Sequence, residues 1–104
     1  MTDGHDYSMV TPEKVATQLA WRIRELRLRR KWKQATLAQH AGVTLASLRR
    51  FEQTGHISLK NLLRLSFALG RLSDYEGLLQ PPAASSLAEL EASLARSPRQ
   101  RGTK

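Results

Sequence analysis

Guanidinium and ammonium groups are the chemistry this chain carries in quantity. Of 104 residues, seventeen are Lys or Arg and nine are Asp or Glu, giving a formal net charge of +8. They are bunched: Arg22, Arg24, Arg27, Arg29, Arg30, Lys31 and Lys33 face the single acid Glu25, and Arg96, Arg99, Arg101 and Lys104 face none. Such clusters suit a polyanion, either nucleic acid or an anionic membrane surface, with a solvated basic face as the alternative. Catalytic chemistry has little to stand on. His5, His40 and His56 fall on three different elements, cysteine is absent, and carboxylate neighbours such as Glu89 and Glu91 read as solvated. His40 reads as a surface residue, and neither zinc-ligand spacing nor a phosphate-cradling glycine loop is present. The chain therefore reads as a binding module rather than an enzyme, with no cofactor or metal expected.

The elements that position these cations centre on Gln34 to Glu52, QATLAQHAGVTLASLRRFE. Leu37, Ala38, Ala41, Val43, Leu48 and Phe51 recur at helical spacing around a lone Gly42, the grammar of two short helices joined by a tight turn. Ala38 leaves room for a close helix crossing, and Gly42 enters the left-handed region without a Cβ penalty. Thr44 supplies a hydroxyl cap to the second helix. Leu45, Ala46, Ser47, Arg49 and Arg50 then fall, with Thr44, on or near the outer face.

Around this pair the spacing predicts further helices. Thr11-Pro12-Glu13 starts one that runs to about Arg30, with Val15, Leu19, Ile23 and Leu26 as its inward stripe. Trp21 and Leu28 fall off that stripe, and Trp32 is expected to cover the bottom of the core. Ser58 caps a fourth helix, about Leu59 to Leu69, richer in leucine than one buried stripe needs. Ser73 and Glu76 have capping-box spacing for a fifth short helix before Pro81-Pro82. Beyond the prolines, Ser86 and Glu89 repeat that spacing ahead of Leu87, Leu90 and Leu94, followed by the basic SPRQRGTK. This gives a flexible segment over 1–10, a folded domain over 11–80, and a C-terminal helix with a basic tail over 81–104. The first 20 residues show no secretory pattern, no segment approaches the ~20 apolar residues of a membrane span, and the lack of cysteine suits a reducing cytoplasm.

The run QxxLAxxAGVTxxxLxxxE, with LAWRIRELRLRRKW before it and TGHISLKNLLRLSFALG after it, resembles the lambda-repressor-like, or XRE, helix-turn-helix family. The resemblance implies an all-α, five-helix domain that binds double-stranded DNA as a homodimer and regulates transcription, most simply by repression. Its base-reading positions carry over to Leu45, Ala46 and Arg50, with Ser47 and Arg49 beside them. Its phosphate-gripping glutamine corresponds to Gln34, and Lys33, Thr44, Arg49, Lys31 and Arg30 are further phosphate candidates. It also implies an ion pair between Arg27, an odd residue for a buried stripe, and Glu52. Lys33 departs from the pattern, since related sequences carry Ser or Thr there as a cap. The stretch from Leu48 to Gly70 with its basic tail is also similar to HipB-like antitoxins. That likeness implies an alternative partner, a kinase-like toxin.

Overall fold

The structure, a computed structural model, describes residues 10–83 together with 87, 88, 91, 92 and 94. Its elements are α1 (Pro12–Arg29), α2 (Gln34–Ala41), α3 (Leu45–Thr54), α4 (Leu59–Ala68) and a 3-10 turn, Leu72–Tyr75.

Thr11 starts α1 with extended backbone, its Oγ1 accepting the Lys14 amide at 3.1 Å, and Pro12 supplies a first residue whose missing N–H costs nothing. The buried face of α1 is Ala20, Ile23 and Arg27, rotated from the expected leucine stripe. Val15 is exposed, and Leu19 and Leu26 only flank the core. The cause is close approach by α3. A Cβ added at Gly55, just past α3, would lie 3.2 Å from the Ala16 backbone, so the small-residue side of α1 must turn inward. Trp21 and Leu28 stay exposed, and Trp32 packs against the core edge.

The end of α1 has a detail invisible in the residue pattern. The amides of Lys31 and Trp32 return to the carbonyls of Leu28 and Arg27, at 2.9 and 3.2 Å. That closure puts Lys31 at φ 59°, a left-handed position usually given to glycine.

Four side chains with essentially no exposure make the centre of the core: Leu37 from α2, Leu48 and Phe51 from α3, and Leu65 from α4. α3 packs against α1 and α2, and α4 against α2. Ser58 caps α4 through its Oγ, which accepts the Asn61 amide at 3.1 Å.

The expected fifth helix is a single 3-10 turn with no side-chain cap, so residues 10–83 hold four α-helices rather than five. Asp74 is drawn to Arg71 at 2.8 Å, and Gly77 at φ 79° and Leu79 at φ 63° break the backbone before Pro81. The turn is nevertheless anchored. Ser66, buried in α4, shares a 2.8 Å hydrogen bond with the Tyr75 hydroxyl while donating to the Leu62 carbonyl at 2.9 Å. The expectations for residues 1–9, for Ser86, Glu89 and Leu90, and for the basic tail lie outside the described residues. Leu87, Ala88, Glu91, Ala92 and Leu94 are helical.

Candidate nucleic-acid interface

The two sides of α3 differ as its sequence requires. Leu48 and Phe51 are buried, three residues apart, whereas Ala46, Arg49 and Arg50 face solvent. Ala46 and Arg50 are one helical turn apart and share a face. Ser47 is half-buried, and Leu45 is half-buried because it packs against the core. Only part of Leu45 is thus open to a partner.

The bend that presents this helix follows from two residues. Gly42 sits at φ 73°, with its amide 2.9 Å from the Ala38 carbonyl and the Val43 amide 3.1 Å from the same oxygen. Thr44 then starts α3, its Oγ1 accepting the Ser47 amide at 3.0 Å. The Thr44 hydroxyl proton remains available to donate to an anion.

At its other end α3 is tied to α1 through buried charge. Arg27 Nε and Nη2 donate to Glu52 Oε2 and Oε1, each at 2.9 Å, and Arg27 Nη1 donates to the Trp32 carbonyl at 2.9 Å. Gln34 Nε2 adds a fourth bond, to Glu52 Oε1 at 2.9 Å. Both charged side chains are over nine-tenths buried, at 8% and 4% exposure. With its partners fixed, the pair holds α1, α3 and the start of α2 in one arrangement.

The remaining cations divide into two sets. Lys33 is exposed at the start of α2, where no side chain caps the helix amides, so those N–H groups and its ammonium face the same water. Lys31 is also exposed. Arg30 is engaged elsewhere: its Nη2 donates to the Leu69 carbonyl at 3.2 Å, closing the end of α4, and its guanidinium lies 5.0 Å from the centre of the Trp32 ring. Trp32 in turn stacks on His40, centroids 4.4 Å apart and planes within 1°.

Residue pattern alone missed the Trp32–His40 stack and the Gln34–Glu52 bond. His40 lies at an outward helical position and Trp32 in a connection, so periodicity joins neither to anything. Gln34 and Glu52 lie 18 positions apart on different helices, and the polarity of Gln34 marks it equally for solvent. Among the described residues, no group of three or more His, Asp or Glu side chains is placed to hold a metal ion. No helix among them is long and apolar enough to cross a membrane.

An exposed helix face bearing arginines, beside an uncapped helix N-terminus bearing lysine, has the shape and charge to enter a DNA major groove while gripping phosphates. A helix-turn-helix family model matches residues 23–76, which runs from the middle of α1 through the 3-10 turn. No curated protein and no solved structure matches the chain. The family match spans the buried ion pair, the Gly42 bend and the outward arginines alike, and the chain belongs to the XRE, or lambda-repressor-like, helix-turn-helix family of DNA-binding transcription regulators.

Proposed function

We propose that the protein is a sequence-specific repressor that binds operator DNA as a two-fold homodimer, each copy laying α3 in the major groove. One observation carries this reading: Ala46 and Arg50 stand exposed on the face opposite Leu48 and Phe51, on a helix fixed at both ends. Arg50 forks onto guanine O6 and N7, and Ala46 with the open part of Leu45 packs on thymine methyl groups. Ser47 and Arg49 flank these contacts, Arg49 reaching either a base edge or a phosphate.

Backbone contacts come from Lys33 and the α2 amides, from Lys31, from the free proton of Thr44, and from the second amide hydrogen of Gln34, whose first is held by Glu52. Arg30 joins them only by leaving the Leu69 carbonyl. These contacts set affinity and its salt dependence; the base contacts set sequence choice. One helix reads few base pairs, so half-sites about one helical turn apart and a two-fold pair are the economical solution. The test is selection of bound duplexes from a random pool, with a palindromic consensus expected.

A second reading is favoured by apolar surface away from α3. Leu59 and Phe67 on α4 are both about two-thirds or more exposed, at 67% and 71%, which suits a protein partner such as a kinase-like toxin. In that case the protein is an antitoxin that also represses its own operon. A kinase-like reading frame adjoining the gene supports this reading, and its absence removes it.

A further inference from the structure

Where a fifth helix would lie, the short 3-10 turn leaves α1 uncovered along one side. The result is a groove of about 810 Å³ between α1, α4 and the turn. Its floor is apolar, with Val15, Leu19, Leu26 and Leu78 among its lining, and Arg22 and Arg29 stand along the α1 edge. No residue of α2 or α3 lines it, so an occupant leaves the candidate DNA face open.

The same chain carries an apolar stripe that is also without cover. Leu87 and Leu94 are helical yet 70% and 65% exposed, and with Leu90 they recur at positions i, i+3 and i+7. Residues 86–96, if helical throughout, would span about 15 Å, against about 21 Å of α1 from Val15 to Arg29. A helix this short is not stable alone and must dock. Its charge is compatible with the groove: Glu91 falls beside the stripe in helical phase, and the α1 edge bears Arg22 and Arg29 with Glu25 between them. The chain reaches residue 86 only eight positions after Leu78, which itself lines the groove.

Because Leu87 and Leu94 are exposed and neither lines the groove of its own chain, we infer that stripe and groove meet between two copies: residues 86–96 of each copy lie in the α1 groove of the other. This reciprocal exchange covers both apolar surfaces twice through a single two-fold axis. It deepens the homodimer reading above and rests on it.

Sedimentation of the full chain and two variants tests the exchange. Leu87→Glu/Leu94→Glu alters the arm, and Val15→Glu/Leu78→Glu alters the groove at side chains 41% and 59% exposed, so both variants keep the fold, checked by circular dichroism. The wild-type chain is expected to dimerise and each variant to do so about 100-fold more weakly. Mixing the two variants restores a heterodimer, because one intact arm still meets one intact groove. If either variant dimerises like the wild type, the exchange is wrong while the dimer stands. An arm variant that loses thermal stability without losing association places the arm in its own groove and overturns the exchange. A wild-type chain monomeric at every concentration overturns the homodimer reading as well.

Discussion

Arg27 on α1 and Glu52 on α3 meet in a fork-on-fork pair, two parallel hydrogen bonds of 2.9 Å between side chains 8% and 4% exposed. Charges that far from water interact strongly, but both have also lost their hydration, so the pair specifies geometry more than it adds stability. Its value lies in what it fixes. α3 cannot rotate about its own axis without breaking both bonds, and that rotation is what would turn Arg50 off the outward face on which the proposed base contact depends.

Removing one partner is therefore far worse than removing both. Arg27→Met or Glu52→Leu alone is expected to cost ~3–5 kcal/mol by leaving a buried charge unpaired. The double variant should recover a large part of that loss. Urea denaturation of the four proteins in the cycle measures the coupling, and additive losses would show that the two side chains act independently.

Lys33 makes the second prediction, one in which stability and binding move in opposite directions. Lys33→Ser supplies the missing side-chain cap at the start of α2 and should stabilise the domain by about 1 kcal/mol. On the proposed DNA-binding reading it also removes a phosphate contact, so the slope of log affinity against log salt should fall by ~1. Thermal unfolding and a salt titration of DNA binding check the two halves separately.

Backbone positions with positive φ give a third, paired test. Lys31 at φ 59° bears a left-handed penalty that glycine removes, so Lys31→Gly should stabilise by roughly 0.5–1 kcal/mol, whereas Gly42→Ala at φ 73° should cost ~1–2 kcal/mol. Gly55→Ala should exceed both, since its Cβ would also press on the Ala16 backbone at 3.2 Å. Equal losses at Gly42 and Gly55 would contradict the close α1–α3 approach.

Tyr75→Phe tests how firmly the 3-10 turn is held. Ser66 keeps its bond to the Leu62 carbonyl when the tyrosine hydroxyl goes, so the expected loss is only ~1 kcal/mol. Hydrogen exchange should quicken in residues 72–78 before it quickens in α3.

The middle of the chain was legible because its rules are local. Gly42, the Thr44 and Ser58 caps and the Leu48 and Phe51 spacing each depend on neighbours within one helical turn, and each took the expected place. The α1 stripe was not legible, since which of its faces turns inward depends on how closely Gly55 approaches Ala16, 39 positions away in sequence. The same applies to the fifth helix. Ser73 and Glu76 have capping-box spacing, but the nearest charge to Asp74 is Arg71, and Gly77 ends the segment too soon for a second turn. At the candidate site the outward arginines were readable from helical phase, whereas the engagement of Arg30 with Leu69 and of Gln34 with Glu52 required the tertiary structure.

The central claim is that α3 holds Arg50 and Ala46 outward to read bases. Selection of duplexes from a random pool, run side by side with the wild-type chain and Arg50→Ala at one fixed salt concentration, tests it directly. The wild type should yield a two-fold consensus with an invariant guanine in each half-site, and Arg50→Ala should lose that guanine alone, with a discrimination loss of ~1–3 kcal/mol. A wild-type pool without consensus, or an Arg50→Ala pool weakened equally for every sequence, would contradict it.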